Sequence, residues 1–355
     1  VERHEDPVAA VAAIRSIRRR ELFRISAGQV LGPSDPERSG AALSDVAVAA
    51  VDGALLVARR VGDPEGTVDF AVVGMGRFGG HELGFGSDVD VLFVHRARPG
   101  VDEEPATRTA GWIAEEFRRL LMAPSGDPPL DVDADLRPEG RHGPLSRSLG
   151  SYAAYYARWS APWEAQALLR AEVVAGDADL GSAFTDLIDP LRWSDSTSAD
   201  DVREVRRLKA RMEAERLPRG ADPTLHTKLG RGGLSDVEWV VQLLQLQHAH
   251  RVATMRTTRT LGALHAAVGA GLLDEHDAGE LGSAWRLASA MRDAVTLVRG
   301  RPADQVPSDV RDLRAVAFVL GYPMDDAGRM VDDYRRTTRR ARSVMERLFY
   351  GTTPG

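Results

Sequence analysis

Residues 74–95, GMGRFGGHELGFGSDVDVLFVH, constrain this chain more than any other stretch. A β-branched apolar run, TVDFAVV, leads into them and ends in glycines, and a second run, VDVLFVHRAR, follows a polar loop. That pattern predicts two strands flanking a glycine-rich turn. Side chains alternate along a strand, so Asp88 and Asp90, at i and i+2, share one face. Farther on, LDVDADLRP alternates strictly and puts Asp131, Asp133 and Asp135 on one face of a third strand. The fold has to contain a sheet, and acids stand on two of its strands.

Around this segment the periodicity is helical. Residues from about 7 to 31 predict one helix, closed by the linker LGPSDPERSG, and residues 43–60 predict a second with Ser44 as N-cap. A helix over 107–122 separates the second strand from the third. From residue 148 strand signals fade, and amphipathic stretches such as DDVREVRRLKARMEAERL and LSDVEWVVQLLQLQHAHR run to the C-terminus. The aromatics Tyr152, Tyr155, Tyr156, Trp159 and Trp163 fall at helical spacing and read as packing that joins two domains. With 355 residues and 43% apolar content the chain exceeds a single core. The expectation is an α+β fold: an N-terminal helix and linker over 1–40, a catalytic domain with a mixed sheet over 41–165, and a C-terminal α-helical bundle over 166–355.

Composition removes several classes. Without cysteine there is no disulfide, thiolate metal site or cysteine nucleophile. A net charge of -6 with interleaved signs argues against a nucleic-acid binder. The absence of a signal-peptide pattern and of an 18-residue apolar run predicts a cytoplasmic protein with no membrane segment. A start without Met reads as a piece of a longer chain.

Two carboxylates at strand spacing reach one divalent cation, and two cations about 4 Å apart clamp the attacking and leaving oxygens of phosphoryl transfer. An all-oxygen site suits Mg²⁺, with Mn²⁺ as the alternative. The third acid comes from Asp131, Asp133 or Asp135, among which alternation does not choose. Gly79 and Gly80, followed by Gly84 and Gly86, offer backbone N–H groups to a polyphosphate, and Arg77 and Ser87 add donors. Gly76, at the head of the turn, belongs to the same nucleotide-binding set. The spacing GxGxxGG excludes a dinucleotide fingerprint, and no GxxxxGK[ST] is present. In HTKLGRGGLSDVEWVVQLLQLQHAH, residues 226–250, Lys228 and Arg231 are candidates for nucleotide phosphates or the acidic face of a partner. The competing reading is that Ser235 caps a helix whose start Asp236 and Glu238 stabilise.

These motifs, together with DVDADLRPEGRHGPLSRSLGSYAAYY, WSAPWEAQALLRA and KLGRGGLSDVEWVVQLLQL, resemble the glutamine synthetase adenylyltransferase family in its actinobacterial form, from about residue 10 to residue 348. The resemblance implies a polymerase-β-like nucleotidyltransferase domain. Relatives carry two copies, and ELGFGSD with DLRPEGR is closer to the C-terminal, AMP-adding copy than to the AMP-removing one. It also implies Asp133 as the third catalytic and metal-binding acid beside Asp88 and Asp90, with Asp135 where relatives commonly have Arg. Arg137 of the same motif joins the nucleotide-binding set. Many relatives have Lys where this chain has Arg77. The implied activity is Mg²⁺-dependent transfer of AMP from ATP to a tyrosine of glutamine synthetase. Its implied partners are the PII signalling protein, glutamine, and the N-terminal half of a full-length chain. The alternatives are phosphorolytic removal of AMP and a non-catalytic nucleotide- or PII-binding module, against which the retained acids argue.

Overall fold

The runs flanking the glycine turn form the two central strands, β1 (Val68–Gly74) and β2 (Val89–Ala97), paired antiparallel from Val68 opposite Ala97 to Gly74 opposite Val91. The computed structural model describes residues 5–159 and 161–351; the tips of the first and last expected segments, 1–4 and 352–355, lie outside them. On the far side of β2 two short strands, β3 (Val132–Asp133) and β4 (Ser146–Ser148), pair parallel to it. On the far side of β1 lies β5 (Glu172–Gly176), antiparallel with a register shift at Val72/Val73. The sheet is mixed, in the order β3-β2-β1-β5.

Seven helices are interleaved with these strands: α1 (Pro7–Leu31), α2 (Pro36–Gly62), the one-turn α3 (Gly76–Gly79), α4 (Glu103–Met122), α5 (Leu149–Trp159), α6 (Pro162–Leu168) and α7 (Ala178–Arg192). They and the sheet form a first unit of Ala41–Leu83 and Ser87–Arg192 with the α1 residues up to Ile25. That unit passes the expected 165/166 boundary because β5 completes the sheet along β1 and α7 packs on it. EVVAG has no alternation that tells it from the helical stretches around it. Gly176 sits at φ +102°, where an added Cβ would come within 2.1 Å of the Phe70 carbonyl. The Asp177 carboxylate accepts from the Phe70 N–H at 2.7 Å and from Arg59 at 2.8 Å.

Alternation sorts the sheet's two faces. Ala71, Val73, Leu92 and Val94 pack with Tyr152, Tyr156, Leu180, Phe184 and Ile188, so the α5 tyrosines belong to the core of this unit. Trp159 and Trp163 stay exposed. On the other face the Phe93 ring lies 5.9 Å from Phe70 and meets Phe117 of α4 edge-on at 5.5 Å. Each such fully buried ring contributes about 1.5–3 kcal/mol.

Near the sheet's β4 edge His95 is fully buried, with Nδ1 2.8 Å from the Ser146 hydroxyl and Nε2 3.2 Å from that of Thr107. Burial pulls it down to about 4, so the imidazole is neutral.

Helix α2 starts at Pro36, ahead of the expected 43, which shortens the linker to 32–35. Ser44 is therefore interior rather than a cap, and its buried hydroxyl accepts from the Leu83 N–H at 3.2 Å. Contrary to the sequence reading, α2 is long and apolar enough to cross a membrane, through its Ala and Val content. A window 56% buried against the protein matches a core helix, with Val51, Ala54, Val57 and Ala58 fully covered.

The second unit comprises Ser26–Gly40, Gly84–Gly86 and Trp193–Gly355. After residue 193 its described residues form α8 (Ala199–Glu215), α9 (Leu234–His248), α10 (Thr260–Gly269), α11 (Glu275–Arg299), α12 (Val310–Val319) and α13 (Ala327–Met345), with one bridge between His226 and Gln305. Trp285, Tyr334 and Phe349 are its largest buried rings.

Candidate metal centre and cleft

The entry to β2 carries Asp88 and Asp90 on the face that Leu92 and Val94 bury farther along, just beyond the end of that core. Parallel pairing then sets Val132 opposite Val89 and Asp133 opposite Asp90, with the Val89 N–H donating to the Asp131 carbonyl at 2.9 Å. One carboxylate oxygen from each of Asp88, Asp90 and Asp133 lies within 4.8 Å of the others. Asp88 is exposed and the other two half-buried. With Mg–O bonds of about 2.1 Å, two ligands of one ion sit at most about 4.2 Å apart, so small rotations bring this set onto an ion. The donors are all carboxylate oxygens, as a hard cation requires.

The other two acids of the third strand are not part of this cluster. Asp131 is exposed. Asp135 faces two guanidiniums, Arg141 at 2.5 Å and Arg137 at 3.6 Å, and raises the Arg141 pKa through that hydrogen bond. Its own N–H donates to the Asp133 carboxylate at 2.7 Å, which fixes Asp133 from below.

The glycine turn is built differently from the sequence reading. The N–H groups of Gly79 and Gly80 donate to the Met75 and Gly76 carbonyls, at 2.9 and 3.1 Å, so they are not free for phosphate. These glycines admit the protein's own chain instead. A Cβ on Gly79 would lie 2.0 Å from the Arg170 carbonyl, and one on Gly80 2.2 Å from the Arg170 guanidinium. Arg170 in turn pairs with Glu82, both almost fully buried. Neither was read as a site residue; the only hint was that Glu82 follows GGH and Arg170 closes ALLR. Arg77 donates through Nε to the Glu82 carbonyl at 2.6 Å and accepts the Glu82 N–H at its own carbonyl at 2.8 Å, bracing the turn. Gly76 meets a stricter demand: at φ +54° its Cα lies so close to Asp90 that a Cβ would be 2.6 Å from Oδ2. Ser87 is half-buried beside Asp88.

At the β3 edge a cleft of about 430 Å³ is lined by Asp88, Arg118, 131–135, Arg137 and Arg141. Arg137 is 9% exposed, and its guanidinium is committed to the Ala134 carbonyl at 2.8 Å and the Gly143 carbonyl at 3.1 Å. It thus shapes the loop after β3. On the approach to β3, Arg15 and Arg18 of α1 donate to the carbonyls of Ala123, Asp127, Pro128 and Pro129.

Lys228 and Arg231 belong to the second unit, both exposed. Burial opposes ionisation of Asp304, but Arg292, Lys228 and His226 hold it below its ordinary value. The loop between them and α9 is shaped from inside. Asp236, 1% exposed, accepts from the Gly232 N–H at 2.7 Å and faces Lys209 at 2.6 Å and Arg342 at 3.0 Å. Burial alone would lower Arg342, yet Glu213, Asp236 and Glu346 raise it. Gly233 caps α9, and Ser235 accepts from Lys209 at 3.2 Å, so the capping role expected of Ser235 gives way to this buried network.

A family model described as Glutamate-ammonia ligase adenylyltransferase matches residues 1–187, and one described as GlnD PII-uridylyltransferase matches residues 205–349. The gap between the matches brackets the end of the first unit at Arg192. Three bacterial proteins named bifunctional glutamine synthetase adenylyltransferase/adenylyl-removing enzyme are similar to this chain. That of Streptomyces coelicolor is 56% identical over 99% of the chain and 36% of its own length. That of Streptomyces avermitilis is 58% identical over 96% and 36%, and that of Mycobacterium leprae 53% identical over 98% and 35%. The chain therefore spans about 36% of the length of the curated relatives it matches.

Proposed function

The chain belongs to the glutamate-ammonia ligase adenylyltransferase family, and on that premise we propose that it transfers AMP from ATP to a tyrosine hydroxyl of glutamine synthetase and releases pyrophosphate. The observation that carries this reading is the convergence of Asp88, Asp90 and Asp133 beside the glycine turn. In this reading the sheet is a polymerase-β-like nucleotidyltransferase core, and the chain is the AMP-adding copy of a longer enzyme. The relatives' name supports glutamine synthetase as acceptor.

Asp88, Asp90 and Asp133 fit Mg²⁺ by donor type and spacing. Bound there, the metal supplies charge stabilisation for the α-phosphoryl group and acidifies the acceptor hydroxyl. The chain's own residues do the rest. Gly76 leaves the Asp90 carboxylate room beside the turn, and the Asp135 N–H holds Asp133 in orientation. Asp133 takes the proton of the attacking hydroxyl as the new oxygen–phosphorus bond forms and the bond to the pyrophosphate oxygen breaks. Ser87 and Arg77 remain the proposed phosphate donors of the turn, and Lys228 and Arg231 of the second unit are proposed for the acidic face of a protein partner. Control by PII and by glutamine belongs to the same reading.

The test incubates the chain with ATP, Mg²⁺ and unmodified glutamine synthetase and follows AMP incorporation by mass. Asp88→Asn with Asp90→Asn is expected to abolish transfer, and unchanged transfer overturns the assignment. Loss in Asp135→Asn but not in Asp133→Asn would move the third acid. A second reading follows from the other half of the relatives' name, removal of AMP. ADP formed from adenylylated glutamine synthetase and phosphate would favour it.

A further inference from the structure

Arg118 of α4 stands in the wall of the β3-edge cleft, outside every motif that drew attention in the sequence. Its Nε is buried without an acceptor, and among the described residues it enters no ion pair, although Asp88, Asp131, Asp133 and Asp135 line the same cleft. The other two guanidiniums there are committed: Arg137 to backbone carbonyls and Asp135, Arg141 to Asp135. A buried donor is costly to leave unmatched, and a guanidinium is shaped to take an oxyanion. The cleft's volume is that of a ligand site.

Topology says which ligand. The glycine turn hangs from β1 on one side of β2, and β3 with its cleft lies on the other. If the nucleotide's phosphates lie along the turn, the cleft falls to the group that attacks. We propose that Arg118 binds an oxyanion of that attacking partner. Its source is an acidic side chain beside the acceptor hydroxyl of the protein substrate, or inorganic phosphate attacking in the phosphorolytic removal of AMP that forms ADP. The proposal rests on the AMP-transfer reading for the identity of the partner.

Binding titrations without turnover test it, on wild type and Arg118→Gln, with three probes: unmodified glutamine synthetase, inorganic phosphate and Mg–ATP. Loss of a charge-assisted hydrogen bond predicts binding weakened roughly tenfold to a hundredfold. That loss should fall on glutamine synthetase or on phosphate, which names the source, while Mg–ATP affinity stays within about twofold. Arg118→Lys should recover part of the loss by keeping the charge. Matched melting temperatures of the two variants and wild type show that the fold is intact. Unchanged affinity for all three probes, weakening of Mg–ATP alone, or no binding of either acceptor probe to wild type overturns the proposal. A wild type that binds the acceptor but transfers no AMP counts against the reaction, while the affinity ratio still decides Arg118.

Discussion

At the scale of single residues, the site is held by contacts that tolerate little substitution. Gly76 is the sharpest case. An alanine there enters the left-handed region at about 1–2 kcal/mol, and its Cβ would contest the space of the Asp90 carboxylate. Gly76→Ala is expected to lower AMP transfer at least about tenfold and to weaken Mg²⁺ binding, while the protein stays folded. Full activity, measured beside a calorimetric Mg²⁺ titration, would show that Asp90 is not positioned this way. His95 makes a second prediction, about stability. The folded protein keeps it neutral down to about 4, whereas an unfolded imidazole takes its proton near 6.5. Between those values the unfolded chain binds a proton that the folded one refuses, so stability is full above pH 6.5 and falls as pH drops toward 4. The largest loss from this residue is about 3 kcal/mol. Urea unfolding at pH 7.5 and pH 4.5 should show a smaller pH penalty in His95→Gln than in wild type, even if the variant is less stable at both.

At the scale of elements, the same contrast explains what could be read from the sequence. Asp88 and Asp90 were legible because their partnership is local: two residues on one strand, beside a turn whose glycines announce it. Asp133 was not, since its place opposite Asp90 depends on a parallel pairing across some forty residues of chain, and only resemblance singled it out. Strand β5 and the Glu82–Arg170 pair were missed for the same reason: nothing near Arg170 in sequence indicates that it will lie over Gly80. The glycines at 79 and 80 were noticed but misread, because a close approach by the chain itself leaves the same residue type as a close approach by phosphate. In the second unit, Asp236 looked like a residue tuned to a helix dipole, yet it anchors a buried network that holds the 230–233 loop to α8 and α13. Asp236→Asn leaves the Lys209 charge with Glu213 and the Arg342 charge with Glu213 and Glu346 as close carboxylates. Breaking a buried pair in this way costs about 3–5 kcal/mol, which equilibrium denaturation would register. A loss below about 1 kcal/mol would mean that water, Glu213 or Glu346 already neutralises these charges.

At the scale of the whole molecule, two units with separate cores need not unfold together, and a single melting temperature is then not defined. The proposed metal ligands Asp88, Asp90 and Asp133 and the turn residues Gly76, Arg77 and Ser87 belong to the first unit. A ligand that binds only folded protein stabilises by about 2.7 kcal/mol at a hundred times its Kd, which for a unit of this size amounts to roughly 5–10 °C. Mg–ATP is therefore expected to raise one calorimetric transition by that amount and to leave a second in place. The shift should vanish in Asp88→Asn with Asp90→Asn. Lowering the pH from 7.5 to 5 charges imidazoles on unfolding in both units, His95 in the first and His226 and His248 in the second, so the transition whose pH drop shrinks in His95→Gln is the first unit's. Asp236→Asn should depress the other. A rise of both transitions with Mg–ATP would overturn the assignment of the nucleotide to the first unit alone, and a shift that survives loss of the two aspartates would show binding that does not run through them.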